Sequence, residues 1–159
     1  MPELQEIHGR LGIPLPSSGR LRALTEEDAP AVAAIAARLG QPDDPEYWRG
    51  KLELFARDPA ACLGVEVDGA LVAYMLGHVK GGEFGLADET GWLELLGVHP
   101  AWQGRGLARV LAEALFEQFD AKGVKRILTL VGPRDDTLRP FFRSLGFRQA
   151  QLVCLERRL

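Results

Sequence analysis

The sequence predicts a single domain with an α+β fold, in which helices pack on a mixed sheet. Three observations predict it. A capping box, Thr25-x-x-Asp28, precedes an alanine-rich stretch with a helical pattern. Two β-rich runs flank Asp68-Gly69, the strongest hairpin signal of the chain. A longer stretch repeats its apolar residues at helical spacing: Leu107, Val110, Leu111, Ala114, Leu115 and Phe119.

Local signals place the elements in order along the chain. Residues 1–19, which are rich in proline, are predicted to form an irregular leader, and residues 20–159 to form the domain. Gly40 ends the alanine-rich helix, and Asp44-Pro45 begins a second one. The predicted elements are a strand at 20–24, helices that reach about 39 and 57, strands at 61–67, 70–80, 92–98 and 126–131, the helix from 107, a short helical segment near 141 and a last strand from Phe147.

Composition limits the possible functions. The chain has 159 residues, enough for one domain with a core, and a net charge of −3, which argues against a nucleic-acid binder. No run is long and apolar enough to cross a bilayer, and the N-terminus does not look like a secretory signal, so we expect a cytoplasmic protein without a membrane partner. Cys62 and Cys154 lie in apolar, strand-like contexts, which predicts reduced thiols in the core. No cluster has metal-ligand spacing, so no metal site is predicted.

A strand, a glycine-containing loop and the helix from Leu107 follow one another directly. Gly104 and Gly106 let the backbone approach a ligand closely, because neither residue has a Cβ. The N–H groups of the first helical turn lack helical partners, and the helix dipole favours an anion there. Arg105 and Arg109 add positive charge beside them. The sequence therefore predicts a phosphate-binding loop.

This loop differs from two common nucleotide motifs. A P-loop has a Lys-Ser or Lys-Thr pair after its second glycine, whereas Leu107-Ala108 follows Gly106 here. A dinucleotide-binding fingerprint has a third small residue where this chain has Arg109. A nucleotide-binding protein that uses the same loop is nevertheless kept as a rival hypothesis.

Two motifs resemble those of the GNAT superfamily of N-acyltransferases. Residues Gln103–Ala108, with the pattern Gln-x-x-Gly-x-Ala, resemble the family's loop for the pyrophosphate of acyl-CoA. Residues Phe142–Phe147, with the pattern Phe-x-x-Leu-Gly-Phe, are similar to its Tyr-x-x-Leu-Gly-Phe signature. Gly146 suits a helix end, because that position commonly needs a left-handed residue. The motifs occur in the family's order, and the resemblance covers roughly residues 20–157.

The resemblance implies the GNAT fold, a twisted and mostly antiparallel sheet of about six to seven strands, with helices on both faces and a V-shaped split for acetyl-CoA. The split would open between strands Trp92–Val98 and Arg126–Val131. The pantetheine arm would lie in it, bonded to the backbone of Leu96 and Val98. The other cofactor contacts that the resemblance implies are the amides of Gln103, Gly104, Arg105, Gly106, Leu107 and Ala108, the charge of Arg109, and side chains at Asp135 and Phe142.

The implied chemistry is direct attack of a primary amine on the acetyl thioester in a ternary complex. A general base must take the amine proton, and Glu94 is the candidate because it is the one ionisable residue in the apolar strand Trp92–Val98. Burial in that strand would make its carboxylate more basic. The alternative is a glutamate on the solvent face of an edge strand. The Val98 N–H would stabilise the oxyanion of the tetrahedral intermediate.

Phe142 departs from the family's pattern, because it stands where a tyrosine often protonates the CoA sulfur. Either the thiolate leaves unassisted, or another group such as Tyr74 or His78 supplies the proton. A third alternative is a non-catalytic acyl-CoA-binding or sensor domain. His78 and His99 are weaker candidates for the base. The leading hypothesis is an acetyl-CoA-dependent N-acetyltransferase that acts on a small-molecule or protein amine, and similar proteins are commonly homodimers.

Overall fold

The computed structural model describes residues 9–12, 15–85 and 87–159. Within these residues the sheet has five strands in sequence order, and all neighbouring pairs are antiparallel except the last. The parallel pair needs a crossover connection, which a long helix supplies. The strands are β1 (Gly19–Ala23), β2 (Cys62–Val67), β3 (Ala70–Lys80), β4 (Thr90–Val98) and β5 (Arg126–Thr129).

Helices cover both faces of the sheet, as predicted. The three long helices are α1 (Ala29–Arg38), α2 (Pro45–Phe55) and α3 (Leu107–Ala121). A shorter helix after β5 is α4 (Leu138–Ser144). Neighbouring residues of β3 pack on opposite sides, because side chains alternate along a strand. Tyr74 and Leu76 join the core beneath α1 and α2, whereas Met75 joins the core beneath α3 and α4.

The hairpin between β2 and β3 forms where the sequence predicted it. Asp68 and Gly69 have φ values of 51° and 80°, and the adjacent residues Val67 and Ala70 pair with each other. Two consecutive residues with positive φ match the right-handed twist of the flanking strands. This hairpin fixes β3 in the centre of the sheet, next to β4.

The sheet opens between β4 and β5. Their pairing runs from Thr90 opposite Arg126 to Leu93 opposite Thr129, where β5 ends. Beyond this point β4 continues to Val98 with β3 on one edge only. The predicted V-shaped split is therefore present, and a free edge of β4 forms one of its sides.

A β-bulge lies where the pairing with β5 stops. In the register with β3, Leu93 stands opposite Gly77 and Leu95 stands opposite Leu76, so Glu94 has no residue opposite it. A bulge bends its strand and redirects a side chain. The bend in β4 therefore coincides with the opening of the split.

The chain after α4 differs from the prediction. The strand expected from Phe147 does not form, and residues 147–159 have no regular secondary structure, which leaves five strands in the described sheet instead of six to seven. Phe147 packs on Phe142, with ring centroids 5.1 Å apart. The segment that follows faces β5 across a cavity of about 410 Å³ and does not pair with it. β propensity alone does not form a strand without such pairing.

The two cysteines have opposite environments. Cys62, in β2, is fully buried, and burial raises the pKa of its thiol to about 12. The prediction of a core thiol is wrong for Cys154, which is exposed in the segment after α4. The reason is again that the strand predicted around Cys154 does not form.

Part of the predicted leader packs on the domain. Leu11 and Leu15 contact the core beneath α3, and Arg10 pairs with Glu117 of α3 at 2.6 Å. Residues 1–8 and 13–14 lie outside the described residues. No helix in the described part of the chain has the length and apolarity to span a bilayer.

Candidate active site

The loop between β4 and α3 contains a capped turn and two glycines. His99 Nδ1 accepts the Ala101 N–H at 3.1 Å and thereby caps the short turn Pro100–Trp102. Gly104 and Gly106 have φ values of 74° and 79°, a left-handed conformation that favours glycine. His99 therefore has a structural role in this loop.

Six consecutive backbone N–H groups, those of residues 104–109, have no acceptor within the described chain. Helical bonding begins with the Val110 N–H, which donates to the Gly106 carbonyl at 3.0 Å. Residues 104–106 are exposed, so their N–H groups lie at the surface and are not sealed under other side chains. Free amides at a helix N-terminus favour an anion. The free amides lie where the sequence predicted them, and the binding of a phosphate at this loop stays a prediction.

Other groups of the loop are engaged in holding it. The Gln103 side-chain amide donates to the Val98 carbonyl at 3.1 Å, and the Gln103 N–H donates to the Pro100 carbonyl at 3.4 Å. The Arg105 guanidinium lies 4.5 Å from the Trp102 ring centroid. Among the described residues it forms no ion pair, so Arg105 adds an uncompensated positive charge beside the free amides.

Arg109 connects α3 to the end of α4. Its guanidinium pairs with Glu113 at 3.3 Å and donates to the Ser144 carbonyl at 3.0 Å and to Ser144 Oγ at 3.1 Å. Ser144 is the last residue of α4, where carbonyls lack helical partners. Leu107 is buried in the core and Ala108 is half-buried, so these two residues offer a ligand their N–H groups and not their side chains.

Backbone polar groups of two residues on the free edge of β4 point into the split. The His99 N–H donates to the Val72 carbonyl at 2.8 Å, so the backbone polar groups of His99 point towards β3. These groups alternate between the two edges of an antiparallel strand. Those of Gly97 therefore point towards β3, and those of Leu96 and Val98 point into the split. Leu96 and Val98 are the two residues that we expected to contact the pantetheine arm.

Glu94 and His78 form a hydrogen-bonded pair at the bulge. Glu94 Oε1 lies 2.7 Å from His78 Nε2. The His78 ring stacks on Phe55 of α2, with centroids 5.3 Å apart and an angle of 12° between the planes. The expectation that Glu94 is buried is wrong, because the bulge turns its side chain out of the sheet and 35% of the side chain stays exposed.

The contact with Glu94 determines which imidazole nitrogen of His78 carries the proton. His78 Nδ1 is buried and has no partner among the described residues. Because Nδ1 lacks a partner with or without a proton, the contact at Nε2 decides the tautomer. A proton on Nδ1 in place of Nε2 would set the Nε2 lone pair against a carboxylate oxygen of Glu94. We therefore assign the proton to Nε2, from which it donates to Glu94 and stabilises the ionised carboxylate.

A cavity of about 360 Å³ contains the pair and crosses the split. This volume suits a small molecule. Glu94 and Leu95 of β4 line one side, and Leu130, the residue after β5, lines the other. We call this space the Glu94 cavity, and its described lining residues are Lys51, His78, Lys80, Phe84, Trp92, Leu93, Glu94, Leu95 and Leu130.

Asp135 and Phe142 lie outside the Glu94 cavity. Asp135 Oδ1 accepts the N–H groups of Thr137 and Leu138 at 3.0 and 2.7 Å, so its carboxylate caps the start of α4. Phe142 is buried and lines a second cavity of about 410 Å³ beside β5. Phe142 is thus close to the split but presents only an apolar ring.

The two alternative proton donors already have partners. Tyr74 is fully buried, and its hydroxyl donates to Gln41 Oε1 at 2.8 Å. Burial, together with nearby Tyr47, raises the pKa of the Tyr74 phenol. The His78 Nε2 proton is shared with Glu94. Neither group is arranged to donate to a ligand in the split.

Sequence reasoning missed the pairing of His78 with Glu94 and the position of Lys51 in the lining of the cavity. The residues are far apart in sequence, and a one-residue bulge decides which of them meet. The available signal was the single acid in an apolar strand, which identified Glu94 but not its partner. In the described part of the chain, no group of three His, Cys, Asp or Glu side chains could hold a metal ion.

Comparison with known proteins agrees with this geometry. Residues 21–147 match the model of the Acetyltransferase (GNAT) family. The acetyltransferase ECA0875 of Pectobacterium atrosepticum is 32% identical over 143 residues, which cover 87% of this chain and 94% of that protein.

Two solved structures share the fold. A ribosomal-protein-alanine N-acetyltransferase from Brucella melitensis biovar Abortus 2308 has a TM-score of 0.71 at 22% identity and covers 89% of this chain and 99% of its own. The aminoglycoside N-acetyltransferase AAC(6')-Iy, in complex with CoA, has a TM-score of 0.76 at 17% identity and covers 92% of this chain and 98% of its own. The chain therefore belongs to the GNAT acetyltransferase family and is an acyltransferase with acetyl-CoA as its co-substrate.

Proposed function

We propose that the protein transfers the acetyl group of acetyl-CoA to the primary amine of a small molecule, by direct attack within a ternary complex. One observation carries the proposal: the carboxylate of Glu94 stands in a cavity at the point where β4 and β5 separate. The free amides of residues 104–109 supply an anion site beyond the other end of the open edge. The cavity volume favours a small amine over a protein amine, which stays the alternative.

The donor would lie along the open edge of β4. Its pyrophosphate would bind the free amides of residues 104–109, with Arg105 nearby. Its pantetheine arm would pair with the strand backbone, as an added strand does. Val98 is nearer the loop and Leu96 is nearer Glu94, so we assign the pantetheine contact to Val98. The oxyanion contact then goes to the Leu96 N–H instead of the Val98 N–H that the sequence favoured.

Glu94 would act as the base in the attack. The amine nitrogen bonds to the thioester carbon, and its excess proton passes to Glu94, directly or through one water. His78 holds Oε1 of this carboxylate and leaves Oε2 for the incoming proton. The C–S bond then breaks, and the CoA thiolate takes a proton from solvent. A thiol with a pKa of about 8.5 leaves readily near neutral pH, so Phe142 need not supply a proton.

Acetyl-CoA consumption in the presence of small primary amines tests the proposal. We expect amine-dependent release of CoA and an acetylated amine that mass spectrometry identifies. Binding of acetyl-CoA in calorimetry without turnover of any amine would favour the non-catalytic binding or sensor domain, which Phe142 suggests. Tight binding of ATP or NAD without binding of CoA would favour the nucleotide-binding rival.

Assembly and location stay predictions. Homodimers are common among similar proteins, and light scattering would detect one as twice the mass of the chain. We also expect a cytoplasmic protein, which fractionation of the source cells would test.

A further inference from the structure

Lys51 places a positive charge on the wall of the Glu94 cavity. Its side chain, on α2, is half-buried. Its ammonium lies 5.6 Å from the Phe55 ring centroid and 5.8 Å from the Tyr47 ring centroid. Aromatic rings stabilise a cation only modestly at an exposed site. No carboxylate among the described residues pairs with Lys51, so a negative partner from outside the chain would add to its stability.

Lys51 and Glu94 stand at opposite ends of one row of side chains. The Lys51 ammonium lies over Phe55, Phe55 stacks on His78, and His78 bonds to Glu94. A cation and a carboxylate are thus separated by two stacked rings and line the same cavity. A ligand that contacts both needs an amine at one end and an anionic group at the other.

The charges of the cavity select among classes of amine. Of its described lining residues, Glu94 is the single acid, whereas Lys51 and Lys80 are basic. A polycation would bring further ammonium groups against Lys51, and such like-charge contacts disfavour a partner. A neutral amine would leave Lys51 without a counter-ion. An amine that carries a carboxylate or a phosphate complements both ends of the row.

We propose that the acetyl acceptor is a small primary amine that also bears an anionic group, a carboxylate or a phosphate, which Lys51 binds. This inference rests on the proposed acetyl transfer at Glu94 and adds the chemical class of the acceptor. Phe84, Trp92 and Leu95 would contact the chain between the two charged ends.

Matched amines test the inference by steady-state kinetics. Each ω-amino carboxylate and each aminoalkyl phosphate is compared with the amino alcohol of the same length, and spermidine serves as a polycation. We expect kcat/KM to be about ten-fold higher or more for the anionic member of each pair, because its charged group gains a hydrogen bond to the Lys51 ammonium. Lys51→Met should remove this preference by raising KM for the anionic amine far more than KM for the amino alcohol.

Lys125→Met is the matched control, because Lys125 is an exposed lysine that pairs with Asp120 and does not line the cavity. It should keep the preference. Equal kcat/KM values within each pair, or a preference for spermidine, would contradict the inference and leave acetyl transfer intact. Failure of every amine to react would instead remove the proposed function, and the inference with it.

A binding measurement gives a second readout that does not depend on turnover. In the presence of CoA, the anionic amine should raise the melting temperature of the wild type and of Lys125→Met but not of Lys51→Met. The same shift in all three proteins would show that Lys51 does not bind the anion. No shift in any of them would also contradict the inference.

Discussion

The two halves of β4 have similar apolar sequences and different surroundings. Residues 90–93 pair on both edges, and the side chains of Thr90 and Leu93 are buried. Residues 95–98 pair with β3 on one edge. On the other edge they have no partner strand, and the Val98 carbonyl accepts from the Gln103 side chain. The first half fixes β4 in the sheet, and the second half presents a carboxylate and amides to a ligand. One bulged residue therefore separates a structural segment from a functional one.

The strongest test of this division is Glu94→Gln, which removes the base from the open half and keeps an acceptor for the His78 N–H. We expect kcat to fall by about 10²–10⁴-fold, the usual contribution of a general base, with the affinity for CoA and the melting temperature unchanged. Kinetics and calorimetry measure these quantities. Glu53→Gln, at an exposed position of α2, should leave all of them unchanged. Full turnover by Glu94→Gln would place the base elsewhere.

Gly91→Ala tests the paired half. A Cβ at this position would lie 2.6 Å from the Phe119 ring in α3, so the core must shift. We expect the free energy of unfolding to fall by about 1–3 kcal/mol in a denaturant titration. Gly50→Ala has open space in α2, and we expect it to be neutral or up to about 1 kcal/mol more stable. A large loss of turnover by Gly91→Ala at unchanged stability would show that the halves are not separate.

His78 gives a finer test of the open half of β4, because its imidazole bonds to the carboxylate of Glu94, the first residue of that half. In His78→Leu, Glu94 loses the donor that orients it, and we expect kcat to fall about ten-fold with an unchanged KM for acetyl-CoA. His78→Gln keeps an N–H donor and should recover part of kcat. Equal kcat values for His78→Gln and His78→Leu would show that the His78 ring contributes through its packing and not through its hydrogen bond to Glu94.

The smallest expected effect is that of acidic pH on the free energy of unfolding. It involves a cluster of charged side chains that lies outside both halves of β4. Arg22 pairs with Asp28 at 2.7 Å and with Glu66 at 2.8 Å. Hydrogen bonds from Arg22 hold the pKa of Glu66 below its usual value. For Asp28, burial acts to raise the pKa, but the hydrogen bonds from Arg22 and from the Thr25 N–H outweigh it and the pKa is lowered.

Carboxyl groups with lowered pKa values stabilise the folded state above their unfolded pKa, and this contribution is lost as the pH falls through their folded pKa. We therefore expect the free energy of unfolding to decrease below about pH 4, the usual carboxyl range. Arg22→Met should lower stability at pH 7 and weaken this dependence in denaturant titrations at several pH values. Identical pH profiles for the two proteins would contradict the prediction.

The glycine loop could be predicted because its signals are local. Gly104, Gly106 and the helical pattern from Leu107 are neighbours in sequence, and together they specify a left-handed turn that opens a helix. Asp135 was interpreted as a cofactor contact, although an acid three residues before a helix start is also typical of local capping, in which its carboxylate accepts the N–H groups two and three residues later. That alternative was available from the sequence.

The Glu94 cavity could not be predicted, because its residues come from α2, β3, β4 and the segment after β5. Sequence spacing carries no information on strand register, and a shift of one residue in β4 would turn Glu94 away from His78. Arg109 shows the same limit, since its partner Ser144 is brought to it by the packing of α4 on α3. The missing last strand also depended on a neighbour that the sequence does not specify.

The contrast between the two cysteines has a practical consequence for chemistry on this protein. An alkylating reagent would reach Cys154 at once, whereas Cys62, buried and with a pKa of about 12, would react only when β2 unfolds. Incorporation of a second label would therefore time the opening of the domain. A colorimetric assay of free thiol would also register Cys154 in every molecule, and Cys154→Ser would remove that background without altering the sheet.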